Sequence, residues 1–302
     1  MLDPGRNCWR IERARRAALI VDAADYFRHA RQAMLAARKQ ILLIGWDFDT
    51  RIRLDDGKDE APLTLGAFLS WLARHQPQVA VHILRWDWGA PKLLTRGTTV
   101  LRLLNWARTP QIRFKLDGAH PAGASHHQKI VVIDDKLAFC GGIDMTATRW
   151  DTREHRDDDQ RRKRPTTGRS YQPWHDATMA VDGAAAQALG DLARERWATA
   201  GGEPIAPPEV ETDPWPDELE PQFNNVEVAV ARTRGEHQLS SEVREIEALY
   251  VDMVLRARRH FYVENQYFAS RVVGEAIAKR LAEEDGPEFV IVNPKSIEGW
   301  VE

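Results

Sequence analysis

One stretch, Ser125-His126-His127-Gln128-Lys129-Ile130-Val131-Val132-Ile133-Asp134, constrains the fold more tightly than any other part of this chain. Its second half is a continuous apolar run, the pattern of a strand buried on both faces of a sheet. Its polar first half is then a loop that carries side chains to one end of that strand. His127 and Lys129 stand two positions apart, so on an extended backbone they project from one face. After Asp134 a second short strand, residues 137–140, runs into Gly141-Gly142-Ile143-Asp144, where missing side chains would let backbone N–H groups approach a ligand closely.

An imidazole and an ammonium on one rigid face suit attack at phosphorus. The imidazole bonds to phosphorus and later leaves, the ammonium neutralises the non-bridging oxygens, and neither step needs a metal ion or cofactor. A phosphodiester is the natural target. The pattern H-x-K-x-x-x-x-D followed by G-G, here His127, Lys129, Asp134, Gly141 and Gly142, resembles the HKD motif of the phospholipase D superfamily. Further segments resemble its phospholipid-cleaving branch, in order: Arg149-Trp150-Asp151-Thr152-Arg153-Glu154-His155, Pro173-Trp174-His175-Asp176, Val181-Asp182-Gly183-Ala184-Ala185, Arg196-Trp197, and residues 262–268.

The resemblance implies a role for each site residue. His127 is the expected nucleophile, forming a phosphohistidine, and Lys129 neutralises the equatorial oxygens. Asp134 is expected to fix the loop and the lysine, and Asp176 to accept the other N–H of His127 and so hold its tautomer. Gly141, Gly142 and Asp144 are expected to line the substrate; Asp144 stands near a position where many relatives have asparagine. A family site needs two such motifs facing each other, one histidine bonding to phosphorus and the other protonating the leaving alcohol. Water or a second alcohol then resolves the intermediate.

No metal and no cofactor are expected. His126 and His127 diverge on a strand, and no Cys or acidic partner has ligand spacing. His155 and His175 read as structural or headgroup-lining residues. Core packing accounts for most tryptophans, with Trp46, Trp86, Trp88, Trp150 and Trp174 near strand ends as candidates to embrace a choline-like ammonium.

Apolar spacing predicts a helix from Asp22 to about residue 39, a buried strand at 41–44, a helix at 64–75, a strand at 79–84, a helix at 97–107 and an extended segment at 111–116. After the motif, a strand is predicted at 174–181 and a helix at 184–197. That alternation predicts an α/β fold, a mixed, mostly parallel sheet sandwiched by helices. Residues 1–20 are rich in arginine with little periodicity and read as a solvated arm, or a contact to an anionic membrane. Residues 152–170 read as a self-paired charged insertion, or a loop at the lipid headgroup.

The proline-rich segment 201–224 reads as a linker between a first repeat, residues 1–200, and the opening of a second, residues 225–302. The second half repeats the helix, strand, helix, strand order of the first. Aligning His260 with Gln40 puts a second motif well past residue 302, and no other H-x-K-x-x-x-x-D occurs. The expectation is a chain truncated before its second motif and inactive alone.

Charge decides between substrate classes. The net charge of -3 lacks the basic field of a protein living on nucleic-acid phosphates, so nucleic acid is disfavoured as a partner. Two cysteines make no disulfide framework, and no apolar leader or span stands out. The expected setting is the cytoplasm with a peripheral membrane contact, and the expected partners are a phospholipid substrate and a second motif-bearing half. Two alternatives stay open: a nuclease or other phosphodiesterase of the same superfamily, and a non-catalytic module that binds phosphate or lipid.

Overall fold

A computed structural model describes residues 1–57, 59–87, 97–237 and 240–294. The chain forms two compact units, the larger built mainly from residues 12–228, the smaller from residues 1–11, 229–236 and those from 240 on.

The larger unit is organised on an eight-stranded sheet in the order β4-β3-β2-β5-β6-β7-β1-β8. In chain order these are β1 (Arg10–Val21), β2 (Gln40–Gly45), β3 (Ala80–Trp86), β4 (Ile112–Asp117), β5 (Ile130–Ile133), β6 (Leu137–Gly141), β7 (Ala177–Asp182) and β8 (Phe223–Val230). The helices are α1 (Ala23–Leu35), α2 (Leu65–His75), α3 (Thr99–Trp106) and α4 (Gly183–Thr199). The mixed α/β architecture is as expected, but its parallel share is smaller than the alternation suggested. Strands β2, β3 and β4 are parallel, whereas β2 to β5, β5 to β6, β6 to β7 and β7 to β1 are antiparallel. The cause is local: only three residues separate β5 from β6, enough for a hairpin and too few for a crossover.

Alternation along the central strands divides the core into two layers. Ile41 and Leu43 of β2, Val81 and Ile83 of β3, and Val131 and Ile133 of β5 pack with Phe27, Met34, Leu65, Phe68 and Leu72 of α1 and α2. Leu42, Ile44, Leu84 and Val132 point the other way and are also buried. Helix α4, with Ala185, Leu189 and Ala193 buried, covers that face. Both faces of the central strands are therefore dry, which is what their unbroken apolar runs require.

Two sequence expectations change. Residues 10–21 are a strand and not a solvated arm: β1 pairs with β7 in the register Ala17↔Val181 to Val21↔Ala177. Arg15 and Arg16 are matched by distant carboxylates, Arg16 Nε donating to Asp182 at 2.8 Å and its Nη2 to Asp213 at 2.6 Å. The segment 201–224 is also packed. Trp215 and Leu219 join the core, and Trp215 Nε1 donates to the carbonyl of Leu219 at 2.7 Å. The charged stretch 152–170 is anchored by a buried arginine, Arg162, whose Nη1 lies 3.0 and 3.1 Å from the two oxygens of fully buried Asp151.

The smaller unit contains a hairpin of β9 (Thr233–Arg234) and β10 (Val243–Arg244), then α5 (Glu245–Arg256), β11 (His260–Glu264), α6 (Arg271–Leu281) and β12 (Glu288–Val292). Strands β11 and β12 are parallel neighbours around α6, as β2 and β3 are around α2. No described helix is long and apolar enough to cross a membrane.

Candidate active site

The register of the sheet fixes where the motif lies. Ile44 pairs with Ile130 and Ile41 with Ile133, so the residues before β5 sit beside those that follow β2. Because β2 and β3 are parallel, Trp46, Asp47 and Trp86 share that edge with His127 and Lys129. Gly141 pairs with Thr178, which brings Asp144 and Asp176 to the same edge. Open α/β sheets bind ligands at this carboxyl end.

Lys129 is buried. Its Nζ lies 3.2 Å from Asp144 Oδ2 and donates to the His127 carbonyl at 3.1 Å. Asp144 is buried too, and its Oδ1 accepts from the backbone N–H groups of Trp46 at 3.0 Å and Asp47 at 3.3 Å. Burial lowers the Lys129 pKa and raises that of Asp144, and each opposes the shift of the other. The ammonium is thus fixed by one carboxylate and one carbonyl, and the Asp176 carboxylate adds to the negative field around it.

His127 is exposed at the lip of this edge, its ring 5.7 Å from Trp46 in an edge-on arrangement. Removal from water by the surrounding atoms, then the charges of Lys129, His126 and Arg149, push its imidazole down to about 4. A neutral ring is the nucleophilic form. His126 turns inward from the loop before β5: its Nε2 meets Gln128 at 3.0 Å and its Nδ1 lies 3.5 Å from Asp117.

Three expected roles are corrected. Asp134 does not reach the lysine. Five residues of extended chain separate the two by about 16 Å, and its carboxylate instead accepts from the backbone N–H groups of Arg38, Lys39 and Gln40 at 2.6, 2.8 and 2.6 Å, clamping the start of β2. Asp176 is not hydrogen-bonded to His127 among the described residues. Its Oδ1 accepts from Ala177 N at 2.8 Å, burial raises its pKa, and the charges of Lys129 and Arg149 oppose that rise. Gly141 and Gly142 direct their N–H groups to protein carbonyls, of Lys129 at 3.4 Å and Ala177 at 2.9 Å, and not toward a ligand. They are glycine for another reason: a Cβ at Gly141 would overlap the backbone of Ala177 and Thr178, and one at Gly142 would overlap the Asp176 carboxylate.

Asp144, expected to line the substrate, is the residue that holds the lysine. Sequence reasoning also missed Arg149, which stacks on Trp174 at 3.9 Å and bears electrostatically on His127, Lys129 and Asp176. It missed the buried pair of Asp47 and Arg85, 2.8 Å apart, which fixes the loop after β2. The available signal was the polar Gly45-Trp46-Asp47 segment following a buried strand. Among the described residues the candidate tryptophans do not form one cage. Trp46 and Trp86 stack at 5.4 Å beside His127, while the faces of Trp174 and Trp150 already carry Arg149 and Arg161. Trp88 lies outside the described residues.

Comparison with known proteins places this arrangement. A family model described as Phospholipase D matches residues 33–243. Phospholipase D alpha 4 of Arabidopsis thaliana is 24% identical over 300 residues, spanning 82% of this chain and 38% of that protein. Phospholipase D alpha 2 of Oryza sativa subsp. japonica is 27% identical over 325 residues, spanning 80% of this chain and 39% of that one. The chain thus spans about two-fifths of the length of these curated relatives. Among solved structures, phosphatidylserine synthase of Haemophilus influenzae Rd KW20 shares the fold with a TM-score of 0.55 at 12% identity, over 93% of this chain and 63% of that one. With a family match across the whole sheet edge that carries His127 and Lys129, the chain belongs to the phospholipase D family.

Proposed function

We propose that this chain supplies one half of a site that cleaves phospholipid phosphodiesters, by phospholipase D-type hydrolysis or transphosphatidylation. The observation that carries the reading is the His127 imidazole at the lip of the sheet beside a buried ammonium, Lys129, held 3.2 Å from Asp144. In the reaction His127 forms a bond to phosphorus as the bond to the leaving alcohol breaks, and the Lys129 ammonium offsets charge on the non-bridging oxygens. An acid on the opposite side of phosphorus protonates that alcohol. Water or another alcohol then displaces the imidazole.

The acid belongs to a second motif-bearing half, for which the smaller unit reads as the opening. Its two-stranded sheet exposes Tyr262, Val290 and Val292 on one face, an apolar surface suited to cover by further elements of that half. Lipid is favoured over nucleic acid by the names of the curated relatives and by the net charge of -3. The protein then works as a peripheral visitor to the cytoplasmic face of a membrane.

The test joins this chain to a second motif-bearing half and supplies phosphatidylcholine vesicles. Choline release that disappears in His127→Ala, with phosphate label trapped on His127, is the expected result. Cleavage of single-stranded DNA with no lipid turnover replaces the lipid reading with a nuclease. Vesicle binding without turnover of either replaces it with a non-catalytic module.

A further inference from the structure

A second cluster of polar side chains lies behind Asp176. Asp22 follows β1, His155 sits in the turn beyond Asp151, and His175 immediately precedes Asp176. One donor atom from each falls within 4.8 Å of the other two. We propose that Asp22, His155 and His175 bind a divalent transition-metal ion, zinc by donor chemistry, and that the ion braces the turn carrying Asp176.

The argument starts from an unsatisfied atom. Asp22 is 1% exposed, and its Oδ2 has no hydrogen-bond partner, although His155 Nε2 lies 3.3 Å away. The other nitrogen of that ring, Nδ1, lies 3.2 Å from Asp151 Oδ2. His155 thus sits between two carboxylates, its Nε2 facing the unpartnered Asp22 Oδ2 across 3.3 Å and its Nδ1 facing Asp151, so an ion taken up on the Asp22 side would bind Nε2 while Asp151 accepts from Nδ1–H. On a tetrahedral ion with bonds of about 2.0–2.1 Å, neighbouring ligand atoms are about 3.3 Å apart.

The remaining geometry fits the same ion. His175 Nδ1 lies 2.9 Å from Asp22 Oδ1, and the two imidazoles are nearly perpendicular, at 87°. Asp151 behind His155 is itself immobilised by Arg162 and by the N–H groups of Thr152 and Trp174, both at 2.8 Å. A fixed carboxylate on the far nitrogen is how proteins orient a ligating histidine. The side chains of His155 and His175 are 31% and 48% exposed, which leaves an entry path and room for water as a further ligand. Two imidazoles with one carboxylate select zinc or its transition-metal neighbours over magnesium or calcium, which prefer all-oxygen shells.

The site would bear on the active edge through the backbone. Asp22 N–H donates to the Asp176 carbonyl at 2.8 Å, and Asp176 N–H donates to Asp22 Oδ1 at 3.1 Å. An ion held on Asp22 fixes both.

The deciding measurement is metal uptake by the whole chain, stripped with a chelator, equilibrated with zinc and desalted. About one equivalent is expected, with affinity reduced about tenfold or more in His155→Ala and in His175→Ala. No uptake, or uptake unchanged by both substitutions, overturns the proposal. If either variant does not fold, cobalt(II) added to the unmodified chain decides. Intense visible bands of a low-coordinate nitrogen and oxygen site support the proposal, and the weak spectrum of aquated cobalt overturns it.

Discussion

Asp144 holds the Lys129 ammonium at 3.2 Å, and the aspartate inside the motif, Asp134, takes no part in that contact. Asp144→Ala removes the counter-charge and leaves two backbone N–H groups without their acceptor. A loss of about 3–5 kcal/mol in urea unfolding is expected, the range for breaking a buried pair. Asp144→Asn keeps an acceptor for Trp46 and Asp47 and is expected to lose less, about 1–3 kcal/mol. Equal losses in the two variants would mean that charge is irrelevant to the contact.

Asp134→Ala strips the acceptor from three backbone N–H groups at the start of β2. Stability is expected to fall by about 4 kcal/mol, because buried donors left unmade are costly. Amide exchange at residues 38–40 is expected to accelerate, and the His127 titration, read by NMR, to stay where it was. A moved His127 midpoint would return Asp134 to the site.

The pH dependence has a definite sign. His82, His126 and His127 are each pushed down to about 4, removal from water by surrounding atoms being the first cause in every case, although His127 keeps an exposed face. The unfolded chain, with ordinary histidines near 6.5, takes up protons first as pH falls. Stability contributed by the neutral rings is complete above about 6.5 and is lost between there and about 4. Urea midpoints at several pH values should fall through that window, and less steeply in His82→Gln, where one of the three contributions is removed; a level profile in the unmodified chain contradicts the assignment. By NMR, Lys129→Met should raise the His127 midpoint, since an ammonium has been taken away.

Gly142→Ala drives a methyl group into the Asp176 carboxylate, and Gly141→Ala drives one into the backbone of β7. Each is expected to destabilise by about 1–3 kcal/mol. Only the first should be relieved by Asp176→Ala. A double-mutant cycle checks this: a coupling of about 1 kcal/mol or more is expected for Gly142 with Asp176, and none for Gly141 would be rescued by the same change.

The motif, its strand and the helices flanking β2 and β3 were legible because they rest on local patterns. A run of four apolar residues favours a strand covered on both faces, and two residues apart on extended chain means one side. What lay beyond reach was pairing between segments distant in the chain. Residues 10–21 carry too many arginines and alanines to read as a strand, and only their register with β7 and the carboxylates of Asp182 and Asp213 make them one.

The sequence by itself determined the chemistry available to this protein: an imidazole and an amine projected together from one buried strand. Tertiary structure alone decided which carboxylate serves which cation. Asp134 and Asp144 lie at opposite ends of the β5–β6 hairpin, so the partner near in sequence is far in space and the more distant one is adjacent. The same logic joins Asp22 to His155 and His175 across more than a hundred residues. Side-chain electrostatics act over a few ångströms, and the sheet register, which no local pattern encodes, sets those distances.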